Sequence, residues 1–263
     1  MNFFMNSIEK SIEILNYLSN MERSAGITEL SLKLSFPKST IHRILSTLLK
    51  YSLVAKEKET NKYKLGLRVL DYSNSFYNSF DFRQVAKPIL KDVCRETKLT
   101  TFLTTWYNDK GICIDSLTPS LKVNTHLFVD IGKEMPFNCA ASAKVILAYQ
   151  QPKDIKRVIK NQNLYKYTPK TIVDPKKLEK HLMEIKRKGF AFCDEELEEG
   201  ARAISVPVKN IDKEVIASIT ITGLSKRLSK SNIGKFSTIL IKSSKKLSEM
   251  LGCKKDNFSY DEG

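Results

Sequence analysis

Residues 27–50 read ITELSLKLSFPKSTIHRILSTLLK, and this stretch decides how the N-terminal part of the chain folds. The pattern predicts a short helix, a turn at residues 35–37 and a second helix over residues 38–50. Thr28 is the expected N-cap of the first helix. Its expected apolar contacts are Leu30, Leu32 and Leu34. Pro37 stands immediately before the second helix, where its missing N–H costs least.

On a helical wheel the second helix has an apolar side and a polar side. The apolar side has the spacing of a helix packed on a core, and its members are Ile41, Ile44, Leu45, Leu48 and Leu49. The polar side contains no carboxylate, and its members are Ser39, His42, Arg43, Ser46 and Lys50. Arginine suits the O6 and N7 atoms of guanine, and serine can reach a base edge or a phosphate. This favours a helix-turn-helix bound to duplex DNA, although a helical hairpin with a solvated outer face has the same pattern.

A β-hairpin, or wing, is predicted directly after that helix, with strands at residues 53–55 and 63–65 and Gly66 at its end. Residues 38–68 contain eight Lys and Arg against two Glu. Lysines in such a wing position a protein on the phosphate backbone without reading the base sequence. The residues expected to neutralise phosphates are Lys38, Lys50, Lys58, Lys62 and Lys64. Those expected near base edges and adjacent phosphates are Ser39, Thr40, His42, Arg43 and Ser46.

The whole chain of 263 residues has a net charge of +15, which favours a polyanionic partner. Only +4 of this charge falls in residues 1–75, with eleven Lys and Arg against seven Asp and Glu. The local pattern at residues 38–68 therefore carries the DNA-binding inference, and much of the remaining lysine excess is expected to be solvated surface.

Composition also narrows the class of protein. Apolar residues make up 41% of the chain, enough for a core in one large domain or two ordinary ones. No run of about 18 apolar residues occurs, and no signal peptide is evident, so a cytoplasmic protein without a membrane span is expected. Five widely spaced cysteines without a CxxC pair argue against a disulfide framework and a structural zinc site. No metal or other cofactor is expected.

Periodicity along the rest of the chain predicts an α+β arrangement. A first helix is expected over residues 7–21, with Ile8, Ile12, Leu15 and Leu18 on one face. Pro88 is expected near the first turn of a helix over residues 82–97. Further helices are predicted at residues 140–150, 152–163, 175–188 and 231–251. Strands are predicted at residues 100–106, 112–115, 121–128, 189–192, 203–208 and 215–222. Strands come first and last with helices between them, which gives an α+β domain.

Four blocks of sequence, in order along the chain, resemble the IclR family of bacterial transcription regulators. The first is the helix-turn-helix at residues 27–48, followed by the wing and YKLGLRVLDYSNSF at residues 63–76. The others are IGKEMPFNCAASAKVILA (131–148), GFAFCDEELEEGARAISVPV (189–208) and ASITITGLSKRL (217–228). The resemblance covers nearly the whole chain.

The resemblance implies a winged helix-turn-helix domain over residues 1–66, a linker helix over 67–81 and a GAF-like α+β effector-binding domain over 82–252. Residues 253–263 are expected to form a flexible tail. Members of the family bind operator DNA as dimers or dimers of dimers, and they respond to a small metabolite, commonly an organic acid or an aromatic compound. A repressor that binds double-stranded operator DNA is therefore expected.

An effector pocket is also implied by position. Its members would be Ala141, Ser142, Ala143, Cys193, Ala203, Thr220 and Thr222. Family members that bind glyoxylate-like acids often have an acidic residue in place of Cys193 and a cysteine in place of Ala203. The hydroxyls of Ser142, Thr220 and Thr222 remain available for a small carboxylate, and a less polar ligand also stays open.

The acidic run at residues 194–199 has two interpretations. Paired carboxylates could bind a metal or act as acid and base, which with Cys193 would support a small-molecule enzyme built on residues 82–252. We favour a charged surface turn with Arg202 as a partner. Ser142 and Lys144 lack the SxxK spacing, so pocket lining and placement at a helix N-terminus are expected of them. The sequence has no GxSxG, GxGxxG or phosphate-loop motif, so we expect a regulator without catalytic residues.

Overall fold

Two units make up the chain, Met1–Ser79 and Phe80–Gly263. The computed structural model describes residues 6–21, 23–72, 81–119, 127 and 129–253. The first unit contains the helices α1 (Ser7–Ser19), α2 (Ile27–Leu34) and α3 (Lys38–Lys50) and the strands β1 (Val54–Lys56) and β2 (Tyr63–Leu65). The two strands pair antiparallel, with Ala55 opposite Lys64. The predicted helix-turn-helix and the wing after it are therefore confirmed.

The apolar side of α3 is buried as its spacing predicts. Ile41, Ile44, Leu45 and Leu48 all lie in the core of the first unit, which they share with Leu30 of α2 and with Val54 and Tyr63 of the wing. Burying an aliphatic side chain of this size stabilises a fold by about 1.5–3 kcal/mol. This shared core holds the two helices and the wing together, and it leaves the opposite side of α3 facing outward.

The predicted apolar face of α1 is right for Leu15 and Leu18, which pack on the core, and wrong for Ile8 and Ile12. Ile8 and Ile12 are 71% and 49% exposed, whereas Ile14 and Leu18 are buried. At 100° per residue, Ile8 and Ile12 lie roughly 120–160° around the helix from Ile14, so they cannot share its face. The helix begins at a capping box, in which Asn6 accepts from the N–H of Glu9 and the Glu9 carboxylate accepts from the N–H of Asn6. It ends at Ser19, not at residue 21.

Two expectations for α2 were also wrong. Gly26 is the N-cap and Thr28 lies inside the first turn. Of the three predicted leucines, only Leu30 is fully buried in the core. Leu34 is half-buried, and Leu32 lies on the other side of the helix and is 76% exposed. The turn into α3 matches the prediction: Ser35 has a left-handed φ of 57°, and the Ser31 hydroxyl donates to the carbonyl of Phe36 at 2.7 Å.

The wing is joined to the helices by a third short segment. The backbones of Ala25 and Tyr63 exchange two hydrogen bonds of 2.8 Å, which adds Ala25 to the β1–β2 hairpin. Gly66 follows β2 where the chain passes close to the backbone after α3. A Cβ atom at position 66 would lie 2.1 Å from the carbonyl oxygen of Ser52, so no other residue fits there without a backbone shift. Residues 68–72 are helical, whereas residues 73–80 of the predicted linker helix lie outside the described residues.

A six-stranded antiparallel sheet forms the centre of the second unit, in the order β5-β4-β3-β8-β7-β6. The strands are β3 (Thr100–Tyr107), β4 (Lys110–Leu117), β5 (Glu134–Met135), β6 (Ala191–Asp194), β7 (Ala201–Lys209) and β8 (Val215–Leu224). The helices are α4 (Asp81–Thr97), α5 (Ala141–Ala148), α6 (Pro152–Asn161), α7 (Pro175–Lys188) and α8 (Ile233–Met250), and a 3₁₀ turn, Lys230–Asn232, precedes α8.

Helices cover both faces of this sheet. The core around α5 takes in Phe102 of β3 and Cys193 of β6, together with the apolar sides of α6 and α7. The next residue along β3, Leu103, is fully buried outside that core, as are Ile219 and Ile221 of β8. Successive side chains of a strand point to opposite faces, so these residues meet α4 and α8 on the other face. α5 itself is buried along its whole length.

The α+β prediction is confirmed, and the observed elements begin and end within about two residues of the predicted ones. The short strand β5 was not predicted. Pro88 lies in the interior of α4, not in its first turn. Both Pro88 and Gln84 are exposed, so solvent can satisfy the carbonyl that the proline leaves without a donor.

Two further predictions concern the strand at residues 121–128 and the C-terminal tail. The candidate strand at residues 121–128 lies outside them, apart from residue 127. Cys253 was assigned to a flexible tail, but it is buried and its N–H donates to the carbonyl of Ser248 at 2.9 Å. Ordered packing therefore reaches at least one residue past the predicted end of the domain.

The close approach at position 66 gives the first testable prediction. Gly66→Ala should destabilise the first unit by about 1–3 kcal/mol, because the added methyl must displace the backbone at Ser52. Hydrogen exchange of the α3 amides measures this loss. Gly26→Ala is the comparison variant, since nothing lies within 4 Å of its added Cβ and it loses only the N-cap preference of glycine over alanine, up to about 1 kcal/mol. Equal protection in the two variants would show that the approach at position 66 is not a constraint.

Candidate nucleic-acid interface and ligand cavity

The outward side of α3 carries the predicted DNA-contacting residues. Six of them are exposed, namely Lys38, Ser39, His42, Arg43, Ser46 and Lys50, whereas Thr40 is half-buried. No Asp or Glu side chain occurs in α3. Within the described residues, no carboxylate lies within 4.0 Å of the Arg43 guanidinium. An exposed arginine without an ion pair is free to make the bidentate contacts that read guanine.

The N-terminus of α3 adds backbone donors to this side. Its N-cap is Pro37, which makes no side-chain cap hydrogen bond, and the first helical backbone bond runs from the N–H of Ile41 to the carbonyl of Pro37. The N–H groups of residues 38–40 therefore remain available, and the helix dipole there favours a phosphate. Ser46 is less free than its position suggests, because its hydroxyl donates to the carbonyl of His42 at 2.9 Å.

The wing lysines differ in how free their charges are. Lys58 and Lys62 are exposed in the turn, and no described carboxylate lies within 4.0 Å of either. Lys64 lies 3.5 Å from Glu57. Glu57 also accepts hydrogen bonds from Thr60 and Ser24, which with the Lys64 ammonium hold the pKa of its carboxyl below the usual value. Part of the Lys64 charge is thus neutralised within the wing, which sequence spacing could not show.

A cavity in the second unit brings together six of the seven predicted effector-pocket residues. Ala141, Ser142, Cys193, Ala203, Thr220 and Thr222 all line it. Ala143 does not, because it faces the sheet, where its Cβ would lie 2.9 Å from a Cβ placed on Gly111. Helical geometry explains the difference, since consecutive residues of α5 point about 100° apart.

The cavity has mainly apolar walls that the sequence prediction did not include. They come from Phe102, Leu127, Val129, Met135 and Leu197. Charged residues at its edge, also missed, are Lys133, Glu198 and Arg202. Apolar residues in strands and loops read as ordinary core, so the sequence gives no signal that separates these wall residues from the rest.

Most polar groups around the cavity already have partners. The Thr220 hydroxyl lies 2.8 Å from that of Ser205, and the Thr222 hydroxyl donates to the carbonyl of Arg202 at 3.0 Å. Arg202 donates to Asp194 at 2.7 Å and lies 3.5 Å from Glu195. The buried hydroxyl of Ser142, in contrast, has no hydrogen-bond partner among the described residues. A buried polar group without a partner is costly, so Ser142 is the lining residue poised to bond a ligand.

A buried ion pair joins two walls of this cavity. The Lys144 ammonium, fully buried in α5, lies 2.7 Å from both carboxylate oxygens of Glu196, and Glu196 is itself nearly buried. Burial raises the pKa of the Glu196 carboxyl, and the adjacent ammonium opposes that rise. The pair ties α5, which presents Ser142, to the segment after β6, which presents Leu197.

His181 completes this buried cluster. Its Nε2 lies 3.3 Å from the Lys144 ammonium. Burial, followed by the charge of Lys144, lowers the pKa of His181 to about 4. Because an ammonium can only donate, the neutral imidazole is the acceptor in this contact.

The acidic run therefore separates into two parts. Asp194 and Glu195 pair with Arg202, as the surface-turn interpretation expects. Glu196 does not fit that interpretation, and Lys144 is buried in an ion pair, not lining the cavity. The sequence does not indicate that these residues are buried, because a glutamate among four other acidic residues is expected to be exposed to solvent. The alternative enzyme gains no support: Glu196 is committed to Lys144, and burial raises the pKa of the Cys193 thiol, which disfavours a nucleophilic thiolate.

Comparison with known proteins identifies the family of both units. The family model described as IclR helix-turn-helix domain matches residues 7–58, and the model described as bacterial transcriptional regulator IclR C-terminal matches residues 75–249. The chain belongs to the IclR family. Its first unit is thus a DNA-binding helix-turn-helix domain, and the protein is a transcriptional regulator.

Known IclR-family proteins match over most of their length. The HTH-type transcriptional regulator XynR of Escherichia coli is 28% identical over 94% of this chain and 97% of its own. The transcriptional repressor IclR of Escherichia coli is 25% identical, with 94% and 90% covered. A crystal structure of an IclR homologue from Microbacterium hydrocarbonoxydans, complexed with 4-hydroxybenzoate, has a TM-score of 0.79 at 19% identity, with 94% and 99% covered. These relatives are regulators, not enzymes. Among the described residues, no helix has the length and apolarity to cross a membrane.

The buried pair at Lys144 gives the second testable prediction. Glu196→Gln should destabilise the second unit by about 3–5 kcal/mol, because it leaves a buried ammonium without its counter-charge. Urea unfolding followed by the fluorescence of Trp106, the single tryptophan, measures this loss. Glu199→Gln is the matched control, since Glu199 is exposed, and it should change the stability by less than about 0.5 kcal/mol. Similar midpoints for both variants would contradict the role given to the pair.

Proposed function

We propose that this protein is a ligand-responsive repressor that binds a two-fold operator as a dimer or a dimer of dimers. The observation that carries the DNA-binding part is the exposed side of α3, which has no carboxylate of its own and where no described carboxylate pairs with Arg43. Arg43, His42, Ser39, Thr40 and Ser46 approach base edges and nearby phosphates. Repression is supported by the relative named a transcriptional repressor. Such a regulator works in the cytoplasm, where the DNA is.

The phosphate contacts are assigned to the lysines and the start of α3. Lys38 and Lys50 lie at the two ends of the helix, and Lys58 and Lys62 at the wing turn. Lys64 contributes less, because Glu57 neutralises part of its charge. Each phosphate contact makes the slope of log affinity against log salt steeper by about 0.9.

The cavity is the proposed effector site, and its polar groups favour one class of ligand. The Arg202 guanidinium is held by Asp194 and Glu195, so it offers little charge to a carboxylate. The Ser142 hydroxyl, which has no hydrogen-bond partner among the described residues, and the apolar walls instead suit a compound with an apolar body and a hydrogen-bonding group. The 4-hydroxybenzoate in the Microbacterium protein has such an apolar ring and a phenol hydroxyl, together with a carboxylate that the Ser142 hydroxyl could also bond. An aromatic ligand is thus favoured over a small acid such as glyoxylate, and no metal or other cofactor is needed.

Effector and operator are linked through the protein conformation. A ligand changes operator affinity only by as much as its own affinity differs between the DNA-competent and DNA-incompetent conformations. The Lys144–Glu196 pair connects the helix that presents Ser142 to the opposite wall of the cavity. The two walls therefore respond together to a ligand, which contributes to its difference in affinity between the two conformations.

The third testable prediction concerns Arg43. Arg43→Ala should weaken specific binding by about 1–3 kcal/mol and relax the preference at one base pair in each half-site. Fluorescence anisotropy with the DNA upstream of the protein's own gene, in excess competitor DNA, measures the affinity. Lys87→Ala is the matched control, because it removes one exposed positive charge in the second unit. Unchanged specific affinity in Arg43→Ala would remove α3 from the recognition surface.

The fourth testable prediction concerns Ser142. With 4-hydroxybenzoate as the probe, Ser142→Ala should weaken binding by about 0.5–1.5 kcal/mol, the net contribution of one hydrogen bond. Calorimetry measures this difference, and Ser231→Ala, an exposed serine outside the cavity lining, is the control. Glyoxylate should bind more weakly than the aromatic probe. Tighter binding of glyoxylate, insensitive to Ser142→Ala, would overturn the assignment of ligand class.

A further inference from the structure

More than half of the chain's net charge of +15 comes from the 37 residues that contain α6 and α7. Residues 152–188 have twelve Lys and Arg against four Asp and Glu, an excess of eight. All twelve basic residues are exposed. The winged unit, by comparison, has an excess of only four over residues 1–75. The larger part of the chain's net positive charge therefore lies outside the unit that reads DNA.

These charges are arranged on one side of the two helices. The apolar sides of α6 and α7 pack into the same core, through Val158 and Ile159 and through Leu178, Leu182 and Ile185. At 100° per residue, the positions opposite those buried sides form the basic face, which we define as Lys153, Lys156, Lys160, Lys176, Lys180 and Arg187. Both outer sides face away from the shared core, and these six basic side chains lie on them.

Little neutralises this surface from within the chain. Of the twelve basic residues, Arg157 and Lys170 have a described carboxylate within 4.0 Å, and no residue of the basic face does. Two of the four acids are engaged elsewhere, since Asp154 pairs with Arg157 and Asp174 caps α7 by accepting from the N–H of Lys177. Surfaces that serve solubility alone usually intersperse both signs, whereas a single-sign field attracts an oppositely charged partner.

We propose that the basic face contacts the phosphates of DNA that flanks the operator. The inference rests on the proposed DNA-binding function. Six flexible, exposed cations with one exposed methionine, Met183, as the large apolar neighbour on α7 fit a phosphate backbone better than an apolar protein groove. The 14 residues of α7 span roughly 21 Å, a length over which duplex DNA presents a charge about every 1.7 Å.

Tethering makes even weak contacts effective. Once the winged unit is bound, the basic face is held near the same DNA at an effective concentration set by the chain between the two units. Such contacts carry no base information, so they raise affinity without changing the preferred sequence. They lengthen the DNA segment that the protein occupies beyond its recognition site.

The test compares two duplexes, one that ends at the operator and one extended by about two helical turns of unrelated sequence on each side. The variant is Lys176→Gln/Lys180→Gln/Arg187→Gln on the basic face. The matched control is Lys235→Gln/Lys242→Gln/Lys246→Gln on α8, which covers the other face of the sheet. Neither variant replaces a buried residue of α7 or α8, and circular dichroism checks the fold.

The wild type should bind the extended duplex more tightly, and the α7 variant should lose that gain while its affinity for the short duplex stays unchanged. If three phosphate contacts are lost, the salt slope on the extended duplex falls by about 2.7, so between 50 and 200 mM salt the wild type loses roughly 40-fold more affinity than the variant. The α8 control should match the wild type on both duplexes.

Three results would overturn the proposal: no gain from the extension, an equal loss in the α7 variant and the α8 control, or an equal loss on both duplexes. Specific binding to the short duplex without any gain on the long one would overturn this inference alone. Absence of specific binding by the wild type to either duplex would overturn the proposed function, and this inference with it.

Discussion

The burial of one side of α3 is the constraint on which the DNA-binding unit depends. Ile41, Ile44, Leu45 and Leu48 are fixed in a core shared with α2 and the wing, and this decides which side chains face outward. Rotating the helix by one residue would bury Arg43 and expose isoleucine, at a cost of several kcal/mol. The orientation of the recognition side is therefore set by packing, and it needs no DNA to form.

The second unit solves a different problem, which is to keep a cavity open inside a packed domain. Its α5 is buried on all sides, and the Lys144–Glu196 pair fixes this helix to the segment after β6. A buried ion pair contributes little net stability compared with an apolar pair of the same shape, but it strongly penalises arrangements in which the partners separate. This penalty suits a site whose two walls must hold a defined spacing around a ligand.

Helices and strands with strong periodicity were predicted correctly from the sequence. The predictions were wrong where two faces of an element are equally apolar and only the tertiary structure determines which one is buried. The buried side of α3 and the wing were predicted correctly, because the apolar spacing and the turn residues there indicate the same structure. Ile8 and Ile12 fit an apolar face of α1, but the core lies on the side of Ile14 and Leu18. Six pocket positions were placed in one cavity by family resemblance, whereas its apolar walls and the burial of Lys144 depend on distant chain segments.

Selection of bound sequences from a random duplex pool shows whether the outward side of α3 reads operator DNA. The wild-type protein should enrich a two-fold symmetric motif with half-sites about one or two helical turns apart. Selection with Arg43→Ala should return the same spacing but a degenerate base at one position in each half-site. An unchanged motif, or no enriched motif from the wild type, would contradict the account.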